Sequence, residues 1–125
     1  MTRLSAIKQV SVNARALART TAFYRDTLGV RHLFDAPPQM SFFDCAGIRL
    51  LVGVAEKAEF DHPSSILYFD VPDIQAAHRD LEARGVKFRD QPHLAAKLPD
   101  REIWLAFFDD SEGNVLALTS EIAAK

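Results

Sequence analysis

Apolar and polar side chains alternate, with a period of two residues, near the start of the chain. In residues 7–14, Val10 and Val12 fall on one face of an extended segment, and Gln9 and Ser11 fall on the other. Alternation of this kind predicts a β-strand with one buried face. We therefore expect the side chains of Gln9 and Ser11 to point away from the core.

The period then becomes helical. Leu17, Thr21, Tyr24 and Leu28 form one stripe, which predicts a helix over residues 17–28 that ends at the glycine that follows. Three short strands are expected next, over residues 30–34, 40–45 and 48–54.

The second half of the chain repeats this order of elements. Residues 65–71 predict a strand, and residues 73–85 predict a helix that Asp73 caps and Gly85 ends. Further strands are expected over residues 86–91, 101–110 and 115–121, with residues 92–100 mostly in a loop.

A shift of 57 residues aligns the two halves, since it places Gln9 on Ile66 and Tyr24 on Leu81. Two copies of one pattern predict a pseudo-twofold domain rather than a solenoid. We therefore predict a single α+β domain over residues 1–125, with two βαβββ modules at about 5–56 and 64–121.

Composition excludes several classes of protein. Apolar residues make up 48% and charged residues 26% of the chain, which is typical of a globular domain. The net charge of -2 and the lack of a long basic run argue against nucleic-acid binding. No apolar run approaches the ~20 residues that span a bilayer. Since Cys45 is the only cysteine and no signal peptide is evident, we expect a cytoplasmic protein.

Three segments resemble one known family. They are "QVSVNARALARTTAFYRDTLG", "LYFDVPDI" and "DDSEGNVLA", and together they are similar to the signatures of the vicinal oxygen chelate superfamily. That superfamily includes glyoxalase I, extradiol dioxygenases, methylmalonyl-CoA epimerase, and the bleomycin and fosfomycin resistance proteins. The resemblance implies a curled eight-stranded mixed sheet with the helices outside, a cavity inside, and a homodimer.

The resemblance also implies where a metal ion would bind. Its four ligand positions, carried over residue by residue, fall on Gln9, Leu51, Ile66 and Ala117. Three of these side chains have no lone pair, and a single carboxamide is a weak ligand compared with imidazole, carboxylate or thiolate. We therefore predict no metal and no cofactor. The alternative is a relocated site, in which His93 converges with Asp44 or Glu102.

The candidate ligand-binding residues are those expected on the cavity side. They are Gln9, Ser11, Leu51, Ile66, Tyr68, His93, Trp104 and Ala117. Tyr68 offers a hydroxyl on an apolar ring. Trp104 and Glu102 are placed on this side because the other face of their strand is entirely apolar and suits contact with the second helix. Each residue also has a purely structural interpretation, such as filling space or bonding to water.

Two residues are weak candidates for catalysis. His93 could act as a general acid or base, because imidazole groups commonly do so near neutral pH, and Glu102 could take the same role. Cys45 is either a reactive thiol or a small buried apolar residue, whereas Asp109 and Asp110 are interpreted as turn residues. The predicted function is metal-free binding of a small organic molecule. The alternatives are a lyase or oxygenase of the glyoxalase or dioxygenase type with relocated metal ligands, a metal-free acid–base enzyme, or an interaction module.

Overall fold

The computed structural model describes residues 2–123. The chain divides into two compact units between Ser64 and Ser65. Each unit contains a four-stranded sheet and a helix in the order βαβββ, which confirms the predicted fold class. Within residues 2–123, no helix has both the length and the apolar character needed to cross a membrane.

The first unit has strand order β1-β4-β3-β2, with β1 parallel to β4 and the other pairs antiparallel. Its elements are β1 (Gln9–Ala14), α1 (Leu17–Ala22), β2 (Arg31–Ala36), β3 (Met40–Cys45) and β4 (Ile48–Val54). The helix predicted over residues 17–28 continues beyond α1 as a π-helical turn, Phe23–Thr27. The predicted bounds of β3 and β4 are confirmed.

The core of the first unit lies between the helical segment and one face of the sheet. Val12, Phe43 and Leu50 are fully buried there, as is Tyr24. The Tyr24 and Phe43 rings approach to 6.1 Å between centroids. The alternation predicted for β1 is confirmed, because its even-numbered residues enter this core.

The second unit repeats the topology, with strand order β5-β8-β7-β6. Its elements are β5 (Leu67–Asp70), α2 (Ile74–Ala83), β6 (His93–Lys97), β7 (Arg101–Asp109) and β8 (Val115–Ala123). As predicted, Asp73 caps α2, since its Oδ1 accepts a hydrogen bond from the Ala76 amide at 3.1 Å. Gly85 follows the helix with φ 92°, a conformation that glycine adopts without strain.

Two expectations about the segment between α2 and β7 were wrong. The predicted strand over residues 86–91 is reduced to one isolated bridge, between Phe88 and Phe108. The predicted loop over residues 92–100 contains β6, which pairs antiparallel with β7. The alanine-rich sequence of β6 has little intrinsic preference for a strand, so its pairing with β7 is what makes it one.

The side chain of His78, on α2, is also buried. It is only 3% exposed, and its ring lies 4.2 Å from that of Phe88. The Nε2 atom has no hydrogen-bond partner among the described residues. His78 therefore belongs to the core of the second unit.

Candidate functional site

The face of the first sheet that points away from α1 is open. Ser11 lies directly opposite Leu51, and Leu51 lies opposite Phe42, so these three side chains share a face. Phe43, the neighbour of Phe42, points the other way and meets Tyr24. We call this surface the first open face, and its residues are Gln9, Ser11, Phe34, Phe42, Asp44, Arg49 and Leu51. Of the predicted ligand-binding residues, it brings together Gln9, Ser11 and Leu51.

A guanidinium group is held at one side of the first open face. Arg49 lies directly opposite Gln9 in the pairing of β1 with β4. Its Nε donates a hydrogen bond to Gln9 Oε1 at 2.6 Å, and its Cζ lies 5.4 Å from the centroid of the Phe42 ring. The sequence analysis missed Arg49, although the alternation of β4 places it on the same side as Leu51.

Two stacked aromatic rings extend this surface. The rings of Phe34 and Phe42 lie 4.7 Å apart with an angle of 28° between their planes. A register shift between His32 and Phe34 turns Phe34 onto the face of Phe42. Phe34 remains 48% exposed, so the face of its ring that points away from Phe42 is accessible.

The second sheet has its own open face, on the side away from α2. Tyr68 and Phe107 are the two strand neighbours of Ala117. Their rings lie 6.1 Å apart in an edge-to-face arrangement, and Ala117 between them is fully buried. Ile66, just before β5, is 44% exposed. The second open face is formed by Tyr68, His93, Leu105, Phe107, Ala117 and Thr119.

His93 lies at the start of β6, opposite Leu105, and so belongs to this second open face. Its Nδ1 is 3.1 Å from Asp90 Oδ2 and 3.2 Å from the Gln91 carbonyl oxygen. Its ring is stacked on Phe107 at 6.3 Å. The imidazole is thus oriented by a carboxylate, which is the arrangement expected of a histidine in acid–base chemistry.

The expected orientation of Trp104 and Glu102 was wrong. Period-two geometry places them with Phe108, which contacts Phe88 on the α2 side of the sheet. The Trp104 Nε1 donates to Glu102 Oε1 at 3.1 Å. Glu102 therefore lies on the opposite face from His93, and the two do not form a catalytic pair.

A polar cluster lies on the α1 side of the first sheet. The Asp35 carboxylate is 2.8 Å from His32 Nε2 and accepts a hydrogen bond from the buried Ser41 Oγ at 2.8 Å. These two hydrogen bonds hold the pKa of the Asp35 carboxyl below its ordinary value. The hydrogen bond with His32 has the larger effect, and that with Ser41 the next largest. The serine bonds to the aspartate and not to the imidazole, so this cluster is not a nucleophile and base pair.

Replacing Asp35 by asparagine is expected to lower stability at neutral pH but not in acid. A carboxyl whose folded-state pKa is depressed stabilises the fold above its unfolded pKa of about 3.9. That contribution disappears as the pH falls through the folded-state value. We expect D35N to unfold at lower urea concentration than the wild type at pH 7, by the small amount typical of an exposed pair. The two midpoints should converge once the pH falls below the folded-state pKa of Asp35, and a gap independent of pH would contradict this prediction.

Cys45, at the end of β3, is half-buried. Burial, reinforced by the neighbouring charge of Asp44, raises the pKa of the Cys45 thiol. Because the thiolate is the reactive form, a raised pKa disfavours a nucleophilic role. The structure therefore supports the packing interpretation of this cysteine.

A separate pocket of about 320 Å³ lies at the end of β1 and β4 in the first unit. Arg15 and Asp61 close one side with an ion pair of 3.2 Å. The remaining lining is Ala14, Val54, Ala55, Glu56, Lys57 and Ala58. None of the predicted ligand-binding residues lines it.

The metal positions implied by the resemblance are a poor fit to a cation. The carboxamide oxygen of Gln9 already accepts a hydrogen bond from a guanidinium, and the three other positions are hydrocarbon side chains. Among residues 2–123, no group of three or more His, Cys, Asp and Glu side chains is placed to hold a metal ion. His93, Asp44 and Glu102 do not form such a group.

Comparison with known proteins gives three results. A model of the glyoxalase/bleomycin resistance protein/dioxygenase superfamily matches residues 6–118. No curated protein matches the chain. Many solved structures do match, and all three described next share the fold over nearly their whole length.

A lactoylglutathione lyase from Agrobacterium tumefaciens is 21% identical, with a TM-score of 0.73 over 94% of this chain and 95% of that one. An integron cassette protein from the mobile metagenome of V. cholerae is 16% identical, with a TM-score of 0.76 over 96% and 98%. A virulence protein from Salmonella typhimurium is 16% identical, with a TM-score of 0.77 over 97% and 100%. At these identities the structures establish the fold alone. Because the family model spans both units, the chain belongs to the glyoxalase/bleomycin resistance protein/dioxygenase superfamily.

Proposed function

We propose that this protein binds a small organic molecule without a metal ion. The observation that carries the proposal is the hydrogen bond of 2.6 Å from Arg49 Nε to Gln9 Oε1. A fixed positive charge occupies the neighbourhood of the carboxamide where the family's first metal ligand would lie. A metal ion bound to the Gln9 carboxamide would lie close to the Arg49 guanidinium, and the two positive charges would repel each other. The guanidinium therefore takes the place of the metal as the positive group of the site.

The other three positions support the same proposal. Leu51, Ile66 and Ala117 offer no lone pair, and Ala117 is also fully buried. Apolar surface with a few polar groups is typical of small-molecule sites. Gln9, Ser11 and Leu51 on the first open face, and Tyr68 and His93 on the second, are the residues proposed to contact ligand.

Metal content tests this proposal directly. Protein purified without added metal is expected to contain less than about a tenth of an equivalent of Zn, Fe, Mn, Co or Ni, and its melting temperature should not change with EDTA. Small molecules released on denaturation would be identified by mass spectrometry. Near-stoichiometric metal that EDTA removes, with a fall in melting temperature, would overturn the proposal.

A second candidate function is metal-free acid–base catalysis, favoured by the orientation of His93 toward Asp90 at 3.1 Å. Incubation with the co-purifying molecule separates the two functions. A binding protein releases the molecule unchanged, whereas an enzyme converts it and a His93→Gln variant does not.

Three further expectations remain part of the proposal. The two units are proposed to function as one domain, which the family match over residues 6–118 supports. A homodimer is proposed from the family resemblance. A cytoplasmic location is proposed because one cysteine per chain suits a reducing compartment.

A further inference from the structure

The neighbours of the His93 imidazole decide which of its ring nitrogens carries the hydrogen. Nδ1 lies 3.2 Å from the Gln91 carbonyl oxygen and 3.1 Å from Asp90 Oδ2. Both neighbours are acceptors, so in a neutral imidazole Nδ1 carries the hydrogen and Nε2 keeps the lone pair. His93 therefore presents a hydrogen-bond acceptor at Nε2.

The two acceptors beside Nδ1 are held in place by the fold. Asp90 is tied to β7, because its Oδ1 accepts a hydrogen bond from the Phe107 amide at 2.9 Å. Pro92 fixes its own φ angle and restricts Gln91 to an extended conformation. The imidazole is thus oriented before any ligand binds, which reduces the entropy that is lost on binding.

The other nitrogen, Nε2, is available to a ligand. Within residues 2–123 it makes no hydrogen bond, and unlike the Nε2 atom of His78 it is not buried. The His93 side chain is 44% exposed. Leu105 lies directly opposite His93 in the pairing of β6 with β7, and Leu105 and Phe107 are both half-buried. An acceptor atom therefore borders accessible apolar surface on the second open face.

The charges around this surface disfavour an anionic ligand. The Asp90 carboxylate next to the imidazole would repel an anion. The two arginines that border the face already have carboxylate partners. Arg101 pairs with Glu121 at 2.7 Å, and Arg89 pairs with Asp109 at 2.8 Å. An uncharged ligand that donates a hydrogen bond fits these surroundings.

From these contacts we propose that the second open face binds an uncharged alcohol with an apolar body. The hydroxyl group donates a hydrogen bond to His93 Nε2, and the apolar body packs against Leu105 and Phe107. This inference rests on the proposed metal-free function and assigns the chemical class of its ligand.

The first test determines the tautomer of His93 in the full chain. Nitrogen-15 NMR of labelled protein at pH 8.0, well above the ordinary imidazole pKa of about 6.5, reports which nitrogen carries the hydrogen. We expect a protonated Nδ1 and an unprotonated Nε2, the reverse of the tautomer that free histidine favours in water. Comparison with His93→Phe identifies the resonances. A predominant Nε2–H tautomer would overturn the proposal.

The second test compares two uncharged probes that differ in one hydrogen-bond donor. Naphthalen-2-ylmethanol carries the hydroxyl, whereas its methyl ether, 2-(methoxymethyl)naphthalene, has the same ring system without a donor. Binding is followed through the backbone amide shifts of β6 and β7. We expect the alcohol to bind about fivefold more tightly than the ether, because only the alcohol can donate to Nε2.

Variants of the protein locate this preference. His93→Phe keeps a flat ring beside Phe107 but has no ring nitrogen, so the alcohol and the ether should bind it equally. His62→Phe is the matched control, since His62 is an exposed histidine of the first unit, and it should keep the preference. Circular dichroism confirms folding, and His93→Leu replaces His93→Phe if the latter does not fold.

Several results would overturn the ligand class while leaving metal-free binding intact. They are equal binding of the alcohol and the ether to the wild type, binding of neither, and a preference for the alcohol that persists in His93→Phe. Tighter binding of naphthalen-2-ylmethanamine, the corresponding cation, would also overturn it. Near-stoichiometric metal, in contrast, would overturn the proposed function itself.

Discussion

Replacing Ala117 by glutamate is expected to lower the free energy of unfolding by about 3–5 kcal/mol, because it places an uncompensated charge in a buried site. Ala117 corresponds to a metal-ligand position in the family resemblance, and a glutamate there would be a good ligand in a metal-dependent member. In this structure the position is fully buried between Tyr68 and Phe107. Ala117 has no exposed surface between these rings, so a longer and charged side chain would have to displace them, and the substitution should destabilise the second unit.

Ile66 provides the matched control, since it falls on the other metal-ligand position that the resemblance implies in the second unit and is 44% exposed. A glutamate at Ile66 remains in contact with water, so we expect Ile66→Glu to cost less than about 1 kcal/mol. Urea unfolding followed by circular dichroism measures both variants. If Ala117→Glu were as stable as Ile66→Glu, the buried environment described for Ala117 would be incorrect.

The second large effect is expected at the turn between β7 and β8. Asp110 is 6% exposed, and its carboxylate accepts hydrogen bonds from the Glu112 amide, the Asn114 amide and Asn114 Nδ2, each at 2.8 Å. Asp110→Ala leaves these donors without their acceptor. We expect a loss of about 3 kcal/mol in the free energy of unfolding, because unpaired buried donors each cost about 1–3 kcal/mol.

The neighbouring aspartate is the control for this prediction. Asp109 pairs with Arg89 at 2.8 Å at a largely solvent-exposed site, and an exposed pair contributes under about 1 kcal/mol. Asp109→Ala should therefore have a small effect. Asp110→Asn keeps one carbonyl oxygen for the two backbone amides and should fall between the two alanine variants. Equal losses for Asp109→Ala and Asp110→Ala in urea unfolding would contradict the assignment of Asp110 as the structural residue of the turn.

The two predictions bear on function as well as stability. If Ala117 tolerates no carboxylate, the second unit cannot supply a metal ligand there by a single substitution. If Asp110 is occupied by the turn, its buried carboxylate is not available for acid–base chemistry. Both results would direct attention to Arg49 and His93, whose side chains lie on the open faces.

Sequence patterns were sufficient for most of the elements and for the repeat. The bounds of β3 and β4 follow from alternating residues around a turn, and Asp73 and Gly85 mark the ends of α2 by their own chemistry. Alternation also placed Gln9 and Ser11 on one face of β1, whereas Leu51 was named only through the family resemblance. These are local signals, since each depends on neighbours a few residues away in the chain.

The predictions that were wrong concern segments whose local sequence pattern is compatible with two different structures. β7 carries apolar side chains on both faces, so alternation grouped Trp104 with Ala106 and Phe108 but could not choose the face that meets α2. Contact of Phe108 with Phe88 makes that choice. Likewise, only pairing with β7 makes a strand of the alanine-rich β6.

By itself, the sequence determined the two βαβββ units, the caps of α2 and the absence of strong metal ligands from the four family positions, because these depend on residue type and short spacings. Only the tertiary structure decided that Arg49 donates a hydrogen bond to Gln9, which is 40 residues away in the chain. It also decided that Phe34 stacks on Phe42 and that Ala117 is fully buried. The reason is that a contact between distant residues depends on strand register and on which face packs against the helix, and both are set by the whole fold.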